Sequence, residues 1–91
     1  MQQCEMIVSK LVDQVREDQR PVMRRRIEEA VIEQAGAEGP DSPTAHRFLK
    51  DLDIFVNMRG PEFIYSRGIA ESLRVGEDIF ELAYVIKKAM Q

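Results

Sequence analysis

The stretch EFIYSRGIAESL, residues 62–73, decides how the second half of the chain folds. Its large apolar side chains recur at spacings typical of a helix, at Phe63, Ile64, Ile69 and Leu73. Gly68 interrupts them, and a glycine inside a helix costs about 1 kcal/mol relative to alanine. We therefore predict a corner near Gly68, with one short helix from 61 to 67 and a second from 68 to 74.

The other apolar residues also recur with the 3.6-residue period of amphipathic helices. A first helix is predicted over 2–17, with its apolar stripe at Cys4, Val8, Leu11 and Val15. A second helix is predicted from Pro21 to the residue before Gly36, because proline suits a first helical turn and glycine a helix end. Ser42 is predicted to cap a third helix, and Gly76 to open the last one.

The pattern as a whole predicts an all-α protein: a single compact bundle of five to six helices, with the corner near Gly68. No stretch alternates β-branched and polar residues over a useful length, so no strand is expected. The chain has 91 residues, which is room for one hydrophobic core, and we expect a single helical domain over 1–91. A hydrophobic content of 44% with 32% charged residues is typical of globular proteins.

Charge and cysteine content narrow the class of partner and the compartment. A net charge of −3 and a pI of about 5.1 argue against a general nucleic-acid binder. The first ten residues contain no long apolar run, and no stretch approaches the length of a membrane span. With Cys4 as the only cysteine, neither an intrachain disulfide nor a cysteine-based zinc site can form. We expect an intracellular protein, cytoplasmic or nuclear, without a membrane or nucleic-acid partner.

Catalytic chemistry has few candidate residues. His46 is the only histidine, and it stands beside the apolar stripe of the third helix, where a half-exposed structural role is expected. No second histidine or nucleophile stands at a spacing that would form a metal site or a triad. We therefore predict a protein that is not an enzyme, with no catalytic, metal-binding or cofactor-binding residues.

Ser42 carries a minor alternative. Asp41 and Ser42 resemble the attachment site of acyl and peptidyl carrier domains, in which phosphopantetheine is linked to a serine that follows Asp and opens a helix. Pro43 stands where those carriers have leucine. The same residues are explained without a cofactor if Ser42 is the N-cap and Pro43 the first helical position.

The charge pattern MRRRIEE, residues 23–29, predicts a binding patch. Arg24, Arg25 and Arg26 lie in the first half of the second helix, where the helix dipole disfavours cations. The acidic residues four positions later form ion pairs in the less favourable order. Such arginines are expected where a basic patch binds an acidic partner. Neutralisation by Glu17 and Asp18 is an alternative, and a solvated surface is the favoured explanation of these arginines.

Residues 48–90 resemble the N-terminal domain of the transcription elongation factor TFIIS, which is related to helical modules of Elongin A and the Mediator complex. The family has a helix of the form LLKxL, then a segment ELLxxTxIGxxVxxLR, and finally a helix LAxxLIxxW. The corresponding segments here occur in the same order: FLKDL (48–52), EFIYSRGIAESL (62–73) and ELAYVIKKAM (81–90). The resemblance implies that Ile69 and Leu73 anchor the helix after the corner in the core.

The resemblance also implies a function. Members of the family are scaffolds that dock short linear motifs of disordered partners, so we expect a protein–protein interaction module, with transcription regulation as its setting. The partner-binding residues expected at the corner are Phe63, Tyr65 and Arg67, with Arg24–Arg26 as a contact for an acidic peptide. Phe63 is also explained as a plain core residue, whereas the hydroxyl of Tyr65 suits a half-buried rim.

Two other classes stay open from the sequence. The regular stripe in helix 2–17 suits a structural protein that pairs with its own copy. The acidic surface suits a small regulator dedicated to one protein partner, such as an anti-activator or an immunity-type protein.

Overall fold

Helices make up most of the chain in the computed structural model, which describes residues 2–74 and 76–91. The helices are α1 (Gln2–Gln14), α2 (Arg20–Ala35), α3 (Pro43–Val56), α4 (Gly60–Leu73) and α5 (Glu77–Ala89). Short 3-10 turns at Glu17–Gln19 and Gly36–Glu38 precede and follow α2. These residues include no strand, so the predicted all-α bundle is confirmed, with five helices in the described part.

Local signals set the ends of α2 and the starts of α3 and α5 close to where the sequence predicted them, whereas α1 ends at Gln14 and not at residue 17. The Oγ of Ser42 accepts a hydrogen bond from the Ala45 amide at 3.2 Å, which makes Ser42 the N-cap of α3. Gly36 follows α2 with a φ of 56°, a left-handed value that glycine adopts without strain. Gly76 precedes α5 with a φ of 67°.

The core forms around α3, which packs against α1, α2 and α5. Several large side chains from four helices have less than 2% of their surface exposed, among them Leu11, Ile27, Leu49, Leu52 and Ile86. The predicted stripe of the first helix lies in this core, because Cys4, Val8, Leu11 and Val15 are all buried. The chain's own helices cover this stripe, so it is not exposed for pairing with a second copy.

The predicted corner at Gly68 is wrong. Helix α4 runs without a break from Gly60 to Leu73, and Gly68 lies on its exposed side. Apart from the glycine, its two chain neighbours and the backbone of its own helix, no heavy atom lies within 4 Å of the position that a Cβ at residue 68 would occupy, so no close helix approach requires the glycine. The chain turns instead after Leu73, where Arg74 adopts a left-handed conformation with a φ of 56°.

Helices α4 and α5 form an antiparallel hairpin around aromatic side chains. The ring centre of Phe80 in α5 lies 5.9 Å from the ring centre of Phe63 in α4. It also lies 4.2 Å from the ring centre of Phe55 in α3. Ala70 is the second buried residue of α4. Thus α4 is attached through one side, by Phe63 and Ala70.

Across residues 2–74 and 76–91, none of the helices combines the length and the apolar character that crossing a bilayer requires.

Candidate functional site

Arg24 belongs to the scaffold. Its Nη1 lies 3.0 Å from the Oε1 of Glu5, and its Nη2 donates to the Oγ of Ser9 at 3.2 Å. The predicted pair with Glu28, four residues on, is also formed, at 3.8 Å. Because Glu5 and Ser9 belong to α1, Arg24 ties α1 to α2.

The other two arginines of the patch, Arg25 and Arg26, are exposed. Arg26 lines a cleft of about 290 Å³ between α2 and α5, whose acidic lining residues are Glu29, Glu33, Asp78 and Glu81. Asp18, one of the acidic residues expected to neutralise the patch, instead pairs with Arg16 at 3.6 Å. An acidic peptide would meet like charges beside Arg26, so the arrangement favours a solvated surface over a site for acidic motifs.

Phe63 and Arg67 are occupied within the chain. Phe63 is 3% exposed, so the expectation that it contacts a partner is corrected by its burial against Phe80. Arg67 bridges α4 and α5: its Nε lies 3.2 Å from Glu71, and its Nη2 lies 3.7 Å from Glu81. Its guanidinium also lies 4.9 Å from the centre of the Tyr84 ring.

Tyr65 differs from both, because it is 72% exposed and not at a half-buried rim. Ile64, Ile69 and Leu73 of the same helix are 71%, 44% and 66% exposed. The implied core role of Ile69 and Leu73 is therefore wrong. We call Tyr65, Ile69 and Leu73 the α4 outer face; Ile64 lies on the opposite side of the helix from Leu73 and is not part of it.

The α4 outer face is unusual for a helix on a small protein. Surface helices carry polar residues opposite their buried stripe, whereas a helix that is apolar on all sides is normally covered. In α4 the buried side is Phe63 and Ala70, and a second, exposed side presents Tyr65, Ile69 and Leu73 at i, i+4 and i+8. In proteins generally, large exposed apolar patches are typical of interaction surfaces.

A cleft lies near the C-terminal end of α4. Ser66, which shares a side of the helix with Ile69 and Leu73, lies 3.6 Å from the Sδ of Met58 at the end of α3. Further along, α3, the end of α4 and the start of α5 enclose a cleft of about 480 Å³, whose lining includes Phe48, Asp51, Arg74 and Ile79.

The polar residues singled out from the sequence have structural roles. Ser42 is 8% exposed and its hydroxyl caps α3, whereas a carrier serine must present its hydroxyl to the enzyme that modifies it. His46 is half-buried, as expected. Burial, followed by the nearby charge of Asp41, raises the pKa of the Cys4 thiol above 9.0, so it is protonated at neutral pH and a poor nucleophile.

Metal chemistry has no visible site in the described residues, since no three side chains of His, Cys, Asp or Glu lie together there as ligands. The sequence named Tyr65 but missed Ile69 and Leu73, because both were expected in the core. The sequence did contain a signal for this face, because apolar residues occur on two separate sides of the same predicted helical segment.

Comparison of the chain with protein-family models, with curated proteins and with solved structures found no match.

Proposed function

We propose that this chain is a non-enzymatic protein–protein interaction domain that binds a partner protein along the α4 outer face. The observation that carries the proposal is the second apolar side of α4, which leaves Tyr65, Ile69 and Leu73 in water. Covering apolar surface contributes about 25 cal/mol per Å², and these side chains are among the largest exposed ones in the described residues.

The spacing of the exposed residues indicates the kind of contact. Anchors at i, i+4 and i+8 form a ridge about 12 Å long, at 1.5 Å per residue, which suits packing against another helix. Tyr65 adds a rigid ring with a hydroxyl that can bond at the edge of an interface. Its side chain therefore suits an anchor that is half-covered by the partner.

The arginines contribute less to this proposal than the sequence suggested. Arg24 joins α1 to α2, and Arg67 joins α4 to α5, so neither is free for a partner. The resemblance of residues 48–90 to the TFIIS N-terminal domain supports transcription regulation as a setting for such a module, as a proposal only. The continuous helix through Gly68 differs from the corner on which that resemblance partly depends.

Site-specific photocrosslinking tests the proposal. Tyr65 is replaced by the photoreactive analogue p-benzoylphenylalanine, and the protein is irradiated in lysate of its source. The matched control carries the same probe at Val22 of α2, which is 64% exposed. We expect discrete adducts from position 65 that are absent from position 22 and are lost when Ile69→Glu is added. Identical adducts at both positions, or none, would refute the docking surface.

A further inference from the structure

We propose that the partner bound by the α4 outer face is a second copy of this chain, with the two α4 helices antiparallel about a two-fold axis. This inference rests on the proposed function and names the occupant of the same surface. A two-fold interface uses the same patch on both chains, so the patch must be complementary to itself.

The exposed ridge has this property. Tyr65 and Leu73 each lie four residues from Ile69, so an axis at Ile69 places Ile69 against its own counterpart. The same operation places Tyr65 against Leu73 of the second copy, at both ends of the contact. The ring of each Tyr65 then covers the smaller side chain of Leu73 from the other copy. Large and small residues alternate across the pair, as close packing requires.

The charges are compatible with the antiparallel orientation. Glu62 is the charged residue of α4 that lies on the same side of the helix as Tyr65, Ile69 and Leu73. Around the helix axis, its direction falls between those of Ile69 and Leu73. In the antiparallel pair the two Glu62 residues stand about 21 Å apart along the axis, at 1.5 Å per residue. Each lies close to the end of the other α4, which carries Arg74 and adjoins the positive N-terminal end of α5. Parallel helices would place the two carboxylates side by side.

Gly68 also fits this arrangement. It lies beside the ridge with open space where a side chain would be, and no contact within the chain requires a glycine there. Ser72, one turn later, is also small and exposed. Two small residues in succession beside the ridge let another helix approach near the lower end of the usual interaxial range, 8–10 Å.

The size of the surface determines the strength of the dimer. The three side chains of the α4 outer face supply only part of the roughly 800 Å² per chain that stable complexes bury. We therefore expect a monomer–dimer equilibrium that depends on protein concentration, and not a permanent dimer.

Sedimentation equilibrium from low micromolar to millimolar protein tests the inference. The mass should rise from 10.5 kDa toward twice that value for the natural chain. Ile69→Glu places two carboxylates at the axis and should stay monomeric, with a helical spectrum that shows it folds. Val22→Glu, which adds the same charge on α2, should dimerise like the natural chain. A natural chain that stays monomeric at millimolar concentration, or an Ile69→Glu variant that dimerises equally, would overturn the inference.

The crosslinking probe at position 65 tests the orientation. In purified dimer adducts, we expect attachment to the tryptic peptide 68–74 of the second copy. Attachment to peptide 60–67 would indicate parallel helices and overturn the arrangement. If the probe captures a different protein while the chain stays monomeric, the docking function stands and the second copy as occupant is refuted. If position 65 captures nothing, both fail.

Discussion

The ammonium group of Lys87 donates a hydrogen bond to the carbonyl oxygen of Met58 at 2.7 Å. The same nitrogen donates to the carbonyl oxygen of Val56 at 3.1 Å and lies 5.0 Å from the centre of the Phe63 ring. Carbonyl groups at a helix C-terminus lack partners within the helix and carry partial negative charge. One half-buried lysine of α5 thus completes the end of α3 and holds the first turns of α4.

Replacing this lysine should destabilise the fold. Lys87→Met keeps the length of the side chain but leaves the carbonyl groups of Val56 and Met58 without their charged donor. We expect a loss of about 2 kcal/mol in the free energy of unfolding, measured by urea denaturation. Lys88→Met is the matched control, because Lys88 is exposed, and it should change stability by less than about 0.5 kcal/mol. Equal effects of the two substitutions would contradict the role of Lys87.

Gly68→Ala should stabilise the protein. The glycine is helical, exposed and free of neighbours within 4 Å, so alanine adds helix propensity worth about 1 kcal/mol without a clash. Gly76→Ala should do the opposite, because residue 76 has a φ of 67°, which costs a residue with a Cβ about 1–2 kcal/mol. Thermal melts of the two variants distinguish the positions. If Gly68→Ala destabilised the protein, the result would contradict the continuous helix and support the corner predicted from the sequence.

Replacing Arg24 should lower the stability of the protein more than replacing its neighbour Arg25. Arg24→Gln loses the ion pair with Glu5 between α1 and α2, and we expect a loss of about 0.5–1 kcal/mol that shrinks at high salt. Arg25→Gln, at an exposed position, should leave stability within about 0.5 kcal/mol of the natural chain. Urea denaturation at two salt concentrations measures both. If Arg25 proved the more important of the two, the assignment of Arg24 to the scaffold would fall.

Cys4 should make stability depend on pH in the alkaline range. Because the pKa of its thiol is raised in the folded chain, the fold favours the protonated form. The corresponding stabilisation is complete below the ordinary pKa of 9.0 and is lost as pH rises toward the higher folded value. The difference in unfolding free energy between the natural chain and Cys4→Ala should therefore narrow above pH 9. A difference that stays constant up to pH 11 would show that the thiol is not perturbed.

Helix positions were the part of the fold that the sequence predicted well. Ser42 followed by Pro43, and the glycines at 36 and 76, act through local backbone preferences that do not depend on the rest of the structure. The apolar stripes of α1, α2, α3 and α5 were predictable for a related reason, since each of these helices has a single buried side.

Helix α4 could not be predicted in the same way. It has apolar residues on two sides, and a sequence pattern does not say which side faces the core. The choice was made by packing, because the rings of Phe63 and Phe80 meet and leave Ile69 and Leu73 outside. The presence of Gly68 was equally ambiguous, because glycine suits either a corner between two helices or an open helix surface.

The candidate site shows the same limit. Tyr65 is far more exposed than the half-buried rim position that the sequence predicted, and residue type alone did not distinguish the buried Phe63 from it. The interhelical pairs of Arg24 with Glu5 and of Arg67 with Glu81 join residues 19 and 14 positions apart. Pairs at such separations depend on how the helices are arranged, which a local charge pattern does not contain.

The one-sided attachment of α4 has a consequence for its amide protons. Only Phe63 and Ala70 of this helix are buried, so its local opening exposes little of the core formed by the other four helices. Hydrogen exchange from α4 should then proceed through a partial opening of lower free energy than global unfolding, while the amides of α3 exchange only when the whole chain unfolds. Any molecule that covers the outer side of α4 would be detected as slower deuterium uptake in this helix.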